Sequence, residues 1–141
     1  LAEIENIVAV KEASSKREQI LEILEKRPAG FAVLSGNDDE TLDLMKNGAE
    51  GIISVASNVT PSMVADLAHN VLEGKVAEAE ALHEKLLPLF RNCFVESNPI
   101  PAKAALHAMG FIQNEMRLPL VPASQPAYDL MCATIKELGL I

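Results

Sequence analysis

Short apolar runs alternate with amphipathic stretches through the first half of the chain. Asn6-Ile7-Val8-Ala9-Val10-Lys11-Glu12-Ala13 is an apolar run interrupted only near its end, the pattern of a buried β-strand. Ser15-Lys16-Arg17-Glu18 follows in capping-box order, with Ser15 as N-cap and Glu18 at N3. The helix it predicts carries Ile20, Leu21, Ile23 and Leu24 inward and stops before Pro28 and Gly30. Phe31-Ala32-Val33-Leu34 predicts a second strand, running into Ser35-Gly36-Asn37-Asp38. Asp38 or Asp39 can cap the next helix, which turns Leu42 and Met45 inward and ends at Asn47-Gly48. Gly51-Ile52-Ile53-Ser54-Val55 predicts a third strand, and Thr60-Pro61 a helix start with proline at N1.

Three strand–helix units with strands apolar on both faces predict an α/β fold with a parallel sheet covered on both sides. A barrel of that class takes eight such units and about 250 residues. Three strands do not close one, so in a barrel the others must come from elsewhere. The second half reads as helical. A helix from Thr60 to Glu73 ends at Gly74, and a long one runs from about Lys75 to Glu96. The long helix has Val76, Ala79, Leu82, Leu86, Leu89 and Phe90 as its stripe, and Pro88 is expected to kink it. Asn98-Pro99-Ile100-Pro101 breaks the chain before a short helix, Ala102 to Met109. The looped stretch Arg117-Leu118-Pro119-Leu120-Val121-Pro122 then leads to a last helix, about Ser124 to Leu138.

Composition narrows the function. At 141 residues, 49% of them apolar, the chain is long enough for one domain with a real core. A net charge of −8 argues against nucleic acid as partner, because phosphate binding needs a basic face. Cys93 and Cys132 lie far apart with no CxxC, so reduced thiols are expected rather than a metal or redox pair. No apolar stretch reaches the length of a membrane span, no signal-peptide pattern is visible, and the start at Leu1 reads as a piece of something longer.

Lys11 is the candidate chemical centre. An ammonium within an apolar strand loses hydration, so its charged form becomes the costly one. A lysine held that way is an amine nucleophile toward carbonyls. Lys11 shares a strand face with Ile7 and Ala9, which favours the free amine. Gly36 alone reads as a turn glycine and Ile53 as core. Glu12 reads as an ion-pairing or hydrogen-bonded structural carboxylate ahead of a catalytic one. His69, His83 and His107 fall on separate helical segments without ligand spacing.

Taken in order, Val10-Lys11-Glu12-Ala13, Leu34-Ser35-Gly36-Asn37-Asp38, Gly51-Ile52-Ile53-Ser54-Val55, Glu96-Ser97-Asn98-Pro99-Ile100-Pro101-Ala102-Lys103 and Arg117-Leu118-Pro119-Leu120 resemble the carboxy-terminal half of the dihydrodipicolinate synthase family. The likeness covers essentially the whole chain. It implies the last three βα units of a TIM (β/α)8 barrel, strands six to eight, over residues 1–73, and a carboxy-terminal helical domain over residues 74–141. It implies Lys11 as the Schiff-base lysine for pyruvate, with the enamine attacking aspartate 4-semialdehyde in lysine and diaminopimelate biosynthesis. It further implies Ile53 as a residue whose main chain touches pyruvate and Gly36 as a backbone lining the pocket. No metal or organic cofactor is implied. The family's proton-relaying tyrosine, its partner threonine and the substrate-binding arginine lie on earlier strands, as does most of the lysine feedback site. Tyr128, the single tyrosine, falls in the last helix and does not match that motif.

The resemblance implies a cytoplasmic homotetramer for the whole enzyme, and the missing barrel half as partner of this chain. A sister pyruvate-dependent aldolase of the N-acetylneuraminate lyase type is the alternative within the family. A non-catalytic half-barrel interaction module is the alternative outside it, and a flavodoxin-like domain stands third for want of a phosphate-cradling glycine loop. On its own the chain is expected to associate through its exposed strands.

Overall fold

A computed structural model describes all 141 residues, Leu1–Ile141. Its elements are β1 (Ala9–Glu12), α1 (Arg17–Lys26), β2 (Ala32–Ser35), α2 (Thr41–Lys46), β3 (Gly51–Ile52), α3 (Pro61–Leu72), α4 (Val76–Asn92), α5 (Ile100–Ala108) and α6 (Gln125–Glu137). Single 3-10 turns at Asp38–Glu40 and Ala56–Asn58 lead into α2 and toward α3. The strands form one parallel sheet in the order β1-β2-β3, as the strand–helix alternation requires.

Register decides which residues share a face. Ala9 pairs with Ala32, Lys11 with Leu34, and Leu34 with Gly51. Their neighbours Val33 and Ser35, both 0% exposed, point the other way, toward the helices. On that covered side Ile20 from α1, Leu44 and Met45 from α2, and Ala49 make a small core against Leu24, Ala68 and Val71. Of the four residues expected inward on α1, only Ile20 is fully buried. The main core is helical: Val64 and Leu67, the α4 stripe Ala79, Leu86, Leu89 and Phe90, Ala102 and Ala105, and Met131 and Ile135. Each large side chain buried there contributes about 1.5–3 kcal/mol of transfer free energy. Ala56 and Val59, from the loop after β3, belong to the same cluster, so the helices are packed directly onto the end of the sheet.

Several boundaries differ from the sequence reading. Ser15 is not an N-cap: it sits at φ +56°, and its hydroxyl accepts Asn37 Nδ2–H at 2.9 Å. Lys16 takes the cap position without a side-chain cap, and Ser14 Oγ accepts the Lys16 N–H at 3.3 Å. The loop after β2 has outcompeted the helix for that hydroxyl. Thr60 occupies the N-cap of α3 with Pro61 at N1, yet its side chain makes no capping bond. The helix α5 starts at Ile100, two residues early, because Pro101 falls in a first turn whose N–H groups have no helical partner anyway. The helix α4 ends at Asn92 rather than near Glu96, leaves Val76 exposed, and continues through Pro88 on its exposed side. Gly74 ends α3 as expected. At φ +74° its N–H reaches Val71 O while Lys75 N–H reaches Asn70 O at 2.8 Å, the paired bonds of a Schellman motif.

Two local devices carry measurable stability. Ser124 caps α6, its Oγ accepting Ala127 N–H at 3.4 Å. Ser124→Ala should cost about 1 kcal/mol in denaturant unfolding, and no loss would show the cap to be idle.

At the amino end of the sheet, Arg27 Nη1 donates to both Glu50 oxygens at 2.5 and 2.6 Å, and Nη2 to Gly48 O at 2.9 Å. Glu50 Oε2 also accepts the Val33 N–H at 2.9 Å. Burial pushes the Glu50 carboxyl up, but the Arg27 guanidinium and the Val33 amide outweigh it and hold it below its ordinary 4.5. A lowered folded value means that this stabilisation is whole above about 4.5 and is lost as pH falls through the lowered value. Unfolding free energy should therefore drop on acidification below 4.5, with a shallower slope in Glu50→Gln. At neutral pH that variant should cost about 1 kcal/mol, limited by the half-exposure of the pair.

Candidate active site

Lys11, Gly36 and Ile53 stand together on the sheet face that no helix of this chain covers. Lys11 and Leu34 are register partners, and Gly36 follows β2 by one residue. Ile53 follows β3 by one residue, with its N–H donating to Ser35 O at 2.8 Å. Gly36 N–H donates to Glu12 O at 2.7 Å, which carries the β1–β2 ladder one step past the strands. A Cβ on Gly36 would fall 2.6 Å from Ala13 Cβ, 2.7 Å from Lys11 Cε and 3.1 Å from Glu12 O. Gly36 is therefore needed for close approach: the Lys11 side chain leans along its strand and lies over the bare backbone.

The expectation of a desolvated Lys11 is not met within this chain. Lys11 is exposed, as is Ile53 at 46%, because the sheet has no cover on that side. Ile53 is thus not core packing. Its carbonyl accepts none of the chain's hydrogen bonds. Glu12 points to the covered face, away from Lys11, and its Oε1 accepts the Ser14 N–H at 2.7 Å. Burial pushes the Glu12 carboxyl up, while hydrogen bonds from Ser14, Ala13 and Gln19 bring it below its ordinary value. That is a structural carboxylate of the hydrogen-bonded kind, not an ion-paired one.

Asp38 is the residue that sequence reasoning misread. It caps nothing on its own side. Its buried carboxylate, 1% exposed, reaches across to the loop after β3, accepting from Ser54 Oγ–H and from the N–H groups of Val55 at 3.0 Å and Ala56 at 3.3 Å. This explains why β3 is two residues long rather than five: beyond Ile53 the backbone donors turn to Asp38 instead of to β2. Asp38 also bears on α4. The Cys93 thiol is pushed up to about 12, by burial first and then by the Asp38 charge. No local signal marks Asp38, since its partners lie 16 to 18 residues away.

Ser15 and Asn37, from the loops after β1 and β2, line a cleft of about 330 Å³ with Asp39, Phe90, Arg91 and Phe94. Roomier clefts of about 560 and 640 Å³ lie at the α5–loop junction and the α3–α4 turn, away from Lys11. His69, His83 and His107 sit on α3, α4 and α5 respectively. His83 packs on Phe90, and His107 Nδ1 lies 3.0 Å from Ile112 O. Both cysteines are free thiols, and no helix is long and apolar enough to cross a membrane.

Comparison with known proteins identifies the family. Residues 1–138 match the model of the dihydrodipicolinate synthetase family. A 4-hydroxy-tetrahydrodipicolinate synthase of Thermotoga sp. (strain RQ2) is 44% identical over 143 residues, covering 99% of this chain and 49% of that protein. The crystal structure of the Thermotoga maritima dihydrodipicolinate synthase superposes with a TM-score of 0.95 at 44% identity, over 99% of this chain and 48% of the other. The chloride-inhibited synthase of Acinetobacter baumannii, solved with pyruvate, superposes at 0.95 and 35% identity over 100% of this chain and 48% of its own. These relatives have the TIM-barrel aldolase fold, and the three-stranded parallel sheet with its helices is a partial α/β piece of that kind. The chain spans about half the length of the curated relatives it matches. From the lysine-bearing strand to the last helix, this chain belongs to the dihydrodipicolinate synthetase family.

Proposed function

We propose that the chain is the carboxy-terminal part of a pyruvate-condensing lyase, a 4-hydroxy-tetrahydrodipicolinate synthase, with Lys11 as its Schiff-base lysine. In this reading residues 1–73 supply strands six to eight of the barrel and residues 74–141 its helical domain. The observation that carries it is the shared uncovered face: Lys11 lies over Gly36 on the face that also holds Ile53, whose carbonyl is unengaged, at the carboxyl ends of the strands. Chemistry in this fold gathers at that end. The pyruvate of the Acinetobacter baumannii relative supports the same substrate here.

The neutral Lys11 amine attacks the keto carbon of pyruvate to give a carbinolamine, which loses water to leave an iminium. Loss of a methyl proton gives the enamine, whose carbon bonds to the aldehyde carbon of aspartate 4-semialdehyde. Return of the amine as leaving group, either to water or to the substrate's own amino group, frees Lys11. The Ile53 carbonyl is an acceptor for a hydrogen on the carbinolamine or iminium, and the bare backbone of Gly36 leaves room for the small keto acid. Cover for the Lys11 face, with the desolvation it brings, and the proton relay come from the rest of the barrel. The isolated chain is therefore inactive, and its exposed strand face drives association. Sedimentation should find it self-associated; a monomer that binds no apolar dye would sink that expectation.

The test is a chimera in which this chain replaces the matched half of the Thermotoga maritima synthase. Incubation with pyruvate and borohydride should place a pyruvyl adduct on Lys11, located by peptide mapping. A folded chimera without that adduct would favour the non-catalytic half-barrel. An adduct without turnover of aspartate 4-semialdehyde would favour a sister aldolase.

A further inference from the structure

Asp38 is a buried carboxylate for which the condensation chemistry has no use. It forms no ion pair with any lysine, arginine or histidine of the chain. A buried charge without a counter-ion is costly unless hydrogen bonds replace its hydration. Asp38 meets that cost with three donors, all from one short stretch: Ser54 Oγ–H, Val55 N–H and Ala56 N–H. Ser54 Oγ in turn accepts the Ser57 N–H at 2.8 Å, so the stretch is tied at both ends of the 3-10 turn. Immediately before it, Ile53 N–H is held by Ser35 O at 2.8 Å. The peptide plane between Ile53 and Ser54 is thus caught between β2 on one side and Asp38 on the other. The carbonyl in that plane is the one that accepts nothing within the chain. Asp38 follows Gly36 by two residues, so a single turn carries both the backbone beneath Lys11 and the anchor of the opposite loop.

Resting on the function proposed above, we propose that Asp38 is a positioning residue for pyruvate: by gripping Ser54, Val55 and Ala56, it aims the Ile53 carbonyl at the Schiff-base centre. Asp38 touches no reacting atom, and its effect passes through the loop. A purely stabilising role would make its loss lower the melting temperature and leave pyruvate handling unchanged. A positioning role changes the pyruvate concentration needed for reaction while Lys11 itself stays competent.

The experiment uses the chimera described above, unsubstituted and as Asp38→Ala, Asp38→Asn and Ser54→Ala. It reads the pyruvate concentration giving half-maximal borohydride trapping, alongside the melting temperature. With Asp38→Ala the adduct should still form on Lys11 at saturating pyruvate, with the half-saturating concentration raised about tenfold, as expected from a small misplacement of a binding group. Asp38→Asn turns a donor toward donors and should resemble alanine. Ser54→Ala removes one of the three ties and should give a smaller rise in the same direction. Ser124→Ala, remote from the site, should lower stability with no shift. Unchanged half-saturation in folded Asp38→Ala and in Ser54→Ala overturns the proposal, and if Asp38→Ala does not fold, Ser54→Ala decides alone. Failure of the unsubstituted chimera to trap pyruvate refutes the function instead, a result distinct from an unshifted variant.

Discussion

Lys11→Ala in the completed barrel should abolish the trapped pyruvyl adduct and lower turnover by about 10⁴-fold or more, roughly 5 kcal/mol of barrier. The size follows from the chemistry. Without an amine there is no iminium, and without the iminium the methyl carbon of pyruvate has no electron sink at neutral pH. Lys11→Arg separates the nucleophile from the charge. A guanidinium keeps the cation and much of the length, yet it does not deprotonate in the working range and offers no free amine. Both variants should therefore be equally inactive, while Lys11→Ala keeps the fold, because Lys11 is exposed and makes no ion pair in this chain. Retained trapping in either variant, mapped to another lysine, would transfer the role away from Lys11.

Gly36→Ala is the second large effect, and it acts through shape. The added methyl would sit 2.6 Å from Ala13 Cβ and 3.1 Å from Glu12 O, neither of which can rotate away. It would also sit 2.7 Å from Lys11 Cε, which can. Either β1 and β2 separate beyond their last ladder bond, Gly36 N–H to Glu12 O, or the lysine is pushed off its course. Forcing a methyl into such a place costs about 1–3 kcal/mol of stability. Displacing the amine by about 1 Å costs on the order of 10²-fold in reaction rate. Melting temperature and the rate of trapping should therefore fall together, and Gly36→Val should lose more of both. Wild-type values for Gly36→Ala would mean that the close approach over Gly36 is not needed for reaction.

The two residues differ in how visible they were beforehand. Lys11 stands out in the sequence because a charge in an apolar run is conspicuous, and its family motif is specific. Gly36 was a plain turn glycine until the neighbouring strand was in place. Its φ is not of the kind that demands glycine, and the demand comes from Ala13 and Lys11 on β1. Ile53 read as core on composition, and the structure leaves it half-exposed because nothing in this chain lies over that face.

Local rules carried most of the elements. Apolar runs located the three strands, and Gly74 ended α3 through the left-handed turn that only its lack of a side chain makes cheap. Ser124 capped α6 with its own hydroxyl, within four residues. Each of these depends on contacts between residues close in sequence, so their pattern is printed in the order of the chain. Ser15, Asp38 and Gly36 were decided by tertiary structure. Their partners are 16 to 25 residues away, in a neighbouring strand or the loop beside it. A hydroxyl or a carboxylate beside a helix start satisfies the capping pattern equally well, whichever donor finally claims it. Only the parallel register, which sets Lys11 beside Leu34 and Leu34 beside Gly51, brings the distant donors near enough to win. By itself the sequence determined the α/β alternation and the family, and singled out the candidate lysine. The close approach of Lys11 over Gly36 and the grip of Asp38 on the loop after β3 exist only once three strands lie side by side.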